Sequence, residues 1–572
     1  MKVKMFALWI LALMIGCVWQ AAGSDEQIEL IRDGITDYNI MIGRGASPIE
    51  EFAAQELQGY VMQVTNVFLP MAPRNAPASG KLVLVGGRAA AKLGLEIDSS
   101  SLGPDGFVIK TIDNKLVLAG GGPRGTLYSV YAFLETLGCR WLAPGILGEV
   151  IPRRASIVIP FIDHSERPDI TYRGFTNIVP VSYEDAQWID WMAKNRMNYF
   201  MIPQPNYGNF KEILVGELER RGMDIGVSLD SSMAADQILE FIESNPETTV
   251  MAIYTEPTEA ENSDKQHSES IAVISETMNE DHPDKLVFMM EPGRIISADN
   301  PVSRRCYRHS LGDEQCEINI EVRSNLESQL ESRSSLHVHE YYMGSYSQNS
   351  LLFPILHTIS SDLEYLNGLE GLDGVISQCE PGNWGTYGLN YYVFARMMWN
   401  ARNDLGSIVD DYCEKYYGPA GEPMKRYYAI LENAMTATEH FRYIDPPGLI
   451  LELLDESSLA EMQEQIQKAE ELANDAMTFD RLRMANLSLN HAKSLWSMLN
   501  SYSAAIKFQE SGENGEAMAC FQQTADLGEK LVAFLFQNVD EGVYIIPEGY
   551  IFDYLEPLIA DALERKDLLG TE

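Results

Sequence analysis

Four apolar runs decide the fold: Ile170-Thr171-Tyr172-Arg173-Gly174-Phe175, Asn198-Tyr199-Phe200-Met201-Ile202, Met223-Asp224-Ile225-Gly226-Val227 and Thr249-Val250-Met251-Ala252-Ile253-Tyr254. Each has strand length, and each is followed by a loop and a helical pattern. The rhythm continues through Lys285 to Met290, Arg304 to His309, Leu336 to Tyr342 and Gly374 to Gln378, giving eight predicted strands. Arg304 to His309 is the weakest, being polar. Eight such units favour an α/β fold of the (β/α)₈ TIM barrel type over an open doubly wound sheet. The barrel is expected over residues 168–400.

On the amino-terminal side, residues 27–160 read as a small α+β domain. Ile40 to Ile42 is a short strand, and Pro48 to Val64 carries Ile49, Phe52, Ala53, Leu57, Tyr60 and Val61 at helical spacing. Lys81 to Val85 is a strand stopped by glycines, and Phe107 to Lys110 and Lys115 to Ala119 flank the hairpin signal Asp113-Asn114. Thr126 to Leu137 is a second apolar helix. On the carboxyl-terminal side, residues 402–572 read as an α-helical bundle, with long Ala/Glu/Leu/Met-rich helices over Leu459 to Asn474, Arg481 to Phe508 and Glu516 to Gln537.

Met1 to Gly23 reads as an export signal peptide: Lys2 and Lys4 precede the apolar Met5 to Ile15, and Ala21-Ala22-Gly23 follows. Met14-Ile15-Gly16-Cys17 also resembles a lipoprotein box, so the protein is expected to be periplasmic, secreted or an outer-surface lipoprotein. A membrane tether is expected only if Cys17 is lipidated. Six cysteines remain after the signal. Their spacing forms no CxxC cluster, Cys306 and Cys316 are close enough in sequence for a disulfide, and buried thiols suit most of the others.

The chain has 572 residues, 45% of them hydrophobic, which excludes wholesale disorder and leaves room for three to four units. With 43 basic and 83 acidic residues its net charge is −40. So negative a surface repels phosphate backbones and anionic lipid, arguing against nucleic acid and for a neutral or cationic substrate such as a carbohydrate. Oligomeric state is open.

Active groups of such barrels sit at the carboxyl ends of strands and in the following loops. That rule selects Glu256, Glu291, Glu340 and Glu380. Glycosidic cleavage needs two carboxyl groups, one protonated and one ionised, and crowding of acids helps to divide the roles. Tyr341, Tyr342, Tyr346, Trp384 and Tyr387 lie in the last two mouth loops, where sugars could stack on them. His337 and His339 share a strand face; with Glu340 they mimic a metal site, but no third ligand or HExxH spacing supports one, so no metal and no cofactor are expected. Gly120 to Gly125 lacks the ending of a phosphate loop, and no Gly-x-Ser-x-Gly elbow occurs.

Gly106-Phe107-Val108-Ile109, Leu116 to Gly121, Pro123-Arg124-Gly125-Thr126-Leu127-Tyr128 and Phe133 to Trp141 together resemble the second domain of β-hexosaminidases and the amino-terminal domain of α-glucuronidases. Tyr172-Arg173-Gly174, Asn195-Arg196-Met197-Asn198 and Leu389-Asn390-Tyr391-Tyr392 resemble the barrel called domain of unknown function 4838, which includes endo-β-N-acetylglucosaminidases of glycoside hydrolase family 163. The resemblance implies a glycoside hydrolase in which Glu256 is the general acid and Glu380 its carboxylate partner, with Glu340 in reserve. Arg173, His339, Glu340, Tyr342 and Trp384 are the expected substrate-binding residues. Departures concern the mouth. The long, His- and aromatic-rich insertion after the third strand and the Cys-rich stretch after the fourth that many relatives carry are missing, and Thr255 precedes Glu256 where hexosaminidases carry Asp, so help from a substrate acetamido group is not implied. A non-catalytic glycan-binding protein on a degenerate barrel is the alternative, and a structural surface protein a third reading.

Overall fold

In the computed structural model, Ser47 and Glu50 close a reciprocal cap at the start of α1 (Pro48–Thr65): Ser47 Oγ accepts from the Glu50 amide at 3.2 Å and Glu50 Oε2 accepts from the Ser47 amide at 2.8 Å. Pro48 supplies a first-turn residue with no amide to satisfy, and Asn66 ends the helix in the left-handed region. Its inner stripe of Ala53, Ala54, Leu57, Tyr60, Val61 and Val64 is buried. The structure describes residues 27–177, 185–229, 233, 235–254, 286–290, 294–297, 300–303, 305–332, 335–343, 350–353, 355–379, 384–441, 447–540 and 549–571. Two units divide the chain. The first comprises Met1–Arg140, Ile151–Pro168 and Arg220–Gly222; the second comprises Trp141–Val150, Asp169–Glu219 and Met223–Glu572.

In the first unit, five strands form one sheet in the order β1 (Asn39–Ile42), β2 (Leu82–Val85), β4 (Lys115–Gly120), β3 (Phe107–Ile112), β5 (Asp163–Glu166). The hairpin β3–β4 turns at Asp113, which takes φ 50°. The glycines at the end of β4 and after it serve packing. A Cβ on Gly120 would stand 2.2 Å from the Gly125 carbonyl carbon, and one on Gly125 2.3 Å from the Gly106 oxygen. The backbone entering α2 (Pro123–Thr136) therefore lies directly on β3 and β4.

Among the described residues of the second unit, seven parallel strands close a barrel: β6 (Tyr172–Asn177), β7 (Tyr199–Pro203), β8 (Asp224–Ser228), β9 (Val250–Tyr254), β10 (Leu286–Met290), β11 (Leu336–Glu340) and β12 (Leu372–Cys379), which returns to β6. Each was expected, within two residues at either end. Of the eighth expected strand, Arg304 to His309, the described residues 305–309 are not a strand. Among the described residues β10 pairs directly with β11, and residues 305–309 form an irregular loop after an antiparallel ribbon of Arg294–Ser297 with Asn300–Ser303. The axis is filled by alternate side chains, including Tyr172, Tyr199, Met201, Ala252, Met289 and Ile376. Large rings there require glycine opposite: a Cβ on Gly226 would lie 2.4 Å from the Tyr199 ring, and one on Gly374 2.8 Å from that of His337.

Besides Tyr207–Arg221 and Ala235–Ser244 after β7 and β8, the helices of this unit include α3 (Ala186–Lys194), α4 (Glu317–Ser332), α5 (Leu356–Asn367), α6 (Trp384–Trp399), α7 (Leu405–Tyr417), α8 (Gly421–Ala437), α9 (Glu456–Leu472), α10 (Ala476–Ser511), α11 (Asn514–Asp540) and α12 (Glu556–Thr571). The carboxyl-terminal helices share one unit with the barrel. Asp455 and Asp475 cap α9 and α10, each accepting from an amide three residues on. Arg481 of α10 donates to the carbonyls of Leu147, Tyr416 and Glu149, which ties residues 141–150 to the helices. Among the described residues no helix is long and apolar enough to cross a membrane.

Gly120→Ala should destabilise the first unit by ~1–3 kcal/mol, because the methyl meets backbone rather than a movable side chain. A urea midpoint equal to wild type would show that this approach of backbone to backbone is not required.

Candidate active site

Strand alternation sorts the expected site residues. Tyr172, Gly374 and His337 stand at one level facing the axis, with the His337 ring 4.9 Å from Tyr172 and 5.7 Å from Tyr199. One step toward the carboxyl ends, His339 pairs in register with Ile376; its ring stacks on Tyr341 at 4.8 Å and 23°. Thr176 and Gln378 are in register above them. His337, His339 and Tyr341 therefore lie on the axis side of β11, with His339 and Tyr341 nearer its carboxyl end. Burial pushes the His337 ring down to about 3, so it is neutral at ordinary pH.

Glu340 has the opposite parity. It faces the helices, where one guanidinium, Arg305, bridges it to Asp362 of α5, all three side chains being fully buried. Tyr307 donates to Glu340 Oε2 at 2.9 Å, Tyr342 donates to Asp362 Oδ2 at 2.8 Å, and the Leu311 amide donates to Asp362 Oδ1 at 2.6 Å. The reserve role of Glu340 and the sugar contact of Tyr342 are corrected accordingly: both point away from the axis and are held in one network. His337, His339 and Glu340 likewise do not converge on a metal.

Arg173 also faces outward. Its guanidinium donates to the carbonyls of Ile170, Thr171 and Arg196, on the amino-end side of the strands, and lies 5.3 Å from the Trp399 ring. A group so placed is on the far side from the mouth, so the hydroxyl-clamping role is corrected to one of joining β6 to the turn before β7. Trp384 is 8% exposed and packs among Trp188, Trp191 and Tyr391 at 4.8–5.4 Å, so its ring is a helix contact rather than a sugar platform. Tyr387 is buried and donates to the Leu351 carbonyl. Glu256, Glu291, Glu380 and Tyr346 lie outside the described residues. In sequence, Glu380 directly follows the end of β12 and Glu256 follows the end of β9 by two positions.

The Arg305 network was missed because it forms between distant segments; only the unusual Arg-Arg-Cys-Tyr-Arg run after Ser303 hinted that this stretch was not a strand. Burial pushes the Glu340 carboxyl up to about 7; Arg305 opposes the rise and Asp362 adds to it. Arg305 stays charged, since the two carboxylates outweigh its own desolvation.

Arg305→Met should cost ~3–5 kcal/mol in urea unfolding, because it leaves two buried carboxyl groups facing each other without a cation. The sign of the pH effect follows from the raised carboxyl. Between its ordinary 4.5 and about 7 the folded chain holds a proton that the unfolded chain has released. The stabilising contribution of Glu340 is thus complete below pH 4.5 and is lost as pH rises to about 7. Glu340→Gln should flatten the decline of the urea midpoint across that window; identical profiles for the two proteins would contradict this.

Residues 307–429 match the family described as Domain of unknown function (DUF4838), and residues 36–133 match Glycosyl hydrolase family 67 N-terminus. A search of curated protein sequences finds no match. Among solved structures, a GH138 enzyme targeting pectin rhamnogalacturonan II superposes with TM-score 0.60 at 12% identity, over 93% of this chain and 99% of its own. A GH115 4-O-methyl-α-glucuronidase with specificity for decorated arabinogalactans gives 0.57 at 11% identity, over 89% and 77%. A family 89 glycoside hydrolase from Clostridium perfringens gives 0.55 at 11% identity, over 84% and 65%. Residues 307–429 and 36–133 are thus similar to DUF4838 and to the family 67 N-terminus respectively, and the chain's fold is similar to that of solved glycoside hydrolases.

Proposed function

We propose that the protein is an exported glycoside hydrolase that cleaves a glycosidic bond in a glycan, with Glu256 as general acid and Glu380 as its carboxylate partner. The observation that carries this reading is strand parity. The alternation that directs Val250 and Ala252 to the axis reaches position 256 when continued along the sequence, and that of Ile376 and Gln378 reaches position 380. In sequence both acids follow the carboxyl ends of described barrel strands, the side on which this architecture places its chemistry. The neighbours support a carbohydrate as substrate: one is described as targeting a pectin, another as bound to its substrate GlcNAc-α-1,4-galactose.

In the proposed reaction, Glu256 protonates the leaving glycosidic oxygen as the bond to the anomeric carbon breaks. Glu380, ionised, either attacks that carbon or activates the water that does. The His339–Tyr341 pair offers a flat, partly apolar wall and a polar ring edge to a sugar entering along the axis. Export is part of the proposal and rests on the charged start, apolar run and small residues of Met1 to Gly23.

Wild-type protein should hydrolyse at least one member of a panel of polysaccharides and N-glycans. Glu256→Gln and Glu380→Gln should each lower turnover ~10²–10⁴-fold while leaving the urea midpoint unchanged. Full activity in both variants would overturn the assignment, and calorimetric binding of a glycan with no turnover would establish a binding protein instead.

A further inference from the structure

Two cysteines and two histidines meet beside the barrel, three of them on the loop that follows β10 and the fourth, His440, after α8. One ligand atom from each of Cys306, His309, Cys316 and His440 lies within 4.8 Å of every other. Cys306 and Cys316 are buried, at 0% and 2% exposure. The Cys306 sulfur stands 3.4 Å from His309 Nδ1, the two imidazole rings are 5.6 Å apart at 64°, and the buried His440 Nδ1 has no hydrogen-bond partner. We propose that these four side chains bind one structural zinc ion.

The donor set fits zinc by type, number and charge. Two thiolates and two neutral imidazoles make a closed tetrahedral site, with sulfur at ~2.3 Å and nitrogen at ~2.0–2.1 Å from the metal. Such a tetrahedron has edges of roughly 3.3–3.8 Å, so the four atoms need only draw in from their present spacing. Binding expels the two thiol protons, and the two thiolates then cancel the dication, which leaves a buried site with no net charge.

The loop is already shaped for this purpose. Asn319 at the start of α4 accepts from the Cys306 amide at 2.9 Å and donates to the carbonyls of Cys306, His309 and Ser310, each at 3.0 Å. The Tyr307 amide donates to the Phe441 carbonyl at 2.7 Å, aligning the loop with the segment that carries His440. Zinc would therefore clip the loop after β10 to the stretch after α8. It would also fix the neighbour of Cys306, Arg305, whose guanidinium joins Glu340 and Asp362. A disulfide between Cys306 and Cys316 would account for the thiols but not for two imidazoles converging on them. The role is one of positioning and is independent of the proposed hydrolysis.

The full chain, purified under reducing conditions without chelator or polyhistidine tag, should contain one zinc by elemental mass spectrometry. Replacing zinc with cobalt should give thiolate-to-cobalt charge transfer and the intense visible bands of a tetrahedral ion. Cys316→Ser and His440→Ala should each lose the metal and those bands, whereas Cys413→Ser, at a buried cysteine elsewhere, should keep both. Because the loss variants can also misfold, the decisive measurement uses wild type: stripping with a chelator should lower Tm, and added zinc alone should restore it. Substoichiometric zinc with an unmoved Tm would overturn the proposal. So would retention of zinc by both loss variants, or a Cys306–Cys316 disulfide in the unreduced peptide map.

Discussion

Closing parallel strands into a cylinder leaves each strand side chain two destinations, the axis or the surrounding helices, and the two alternate without exception along an unbroken strand. Most of what this protein can do follows from that constraint. Tyr172, Tyr199 and His337 fill the axis near the amino ends, with Gly226 and Gly374 making room for two of these rings. Above them His339 and Tyr341 continue the same face toward the carboxyl ends. Neighbours one residue away, Arg173 and Glu340, are as buried but belong to a different environment. Proximity in sequence to an axis-facing residue is therefore evidence against a shared site, not for it.

The outward-facing charges have their own logic. A carboxyl group between a strand and its helix layer is removed from water, and it is tolerated when a fork of donors spans it. Arg305 does this for two carboxyl groups at once, with tyrosine hydroxyls completing the set. The arrangement couples β11, α5 and the loop after β10. That loop in turn meets the segment beyond α8 through the Tyr307–Phe441 bond and the Cys/His cluster. The irregular stretch that interrupts the strand–helix rhythm is thereby anchored to β11, α4, α5 and the segment beyond α8.

Local rules carried much of the architecture. Period-two and period-3.6 patterns located seven barrel strands, α1, α2 and the long carboxyl-terminal helices, because each of those elements buries one face and its apolar spacing records which. The parity of Glu340 was legible as well, since His337 and His339 were seen to share a face and Glu340 lies next to one of them. Arg304 to His309 was misread because a polar run of strand length looks the same whether its side chains line a sheet or reach partners 35 and 57 residues away. Trp384 and Tyr342 were misplaced for a related reason: an aromatic in a mouth loop has the same composition whether it faces sugar or a helix.

By itself, the sequence determined the element types, the parallel strand order and the acidic surface, all of which depend on neighbours along the chain. Only the tertiary structure decided the number of barrel strands, the withdrawal of Arg173, Glu340, Tyr342 and Trp384 from the axis, and the meeting of His440 with Cys306, His309 and Cys316. Those outcomes depend on which distant groups satisfy a buried charge or polar atom, and that pairing leaves no periodicity in the chain to read.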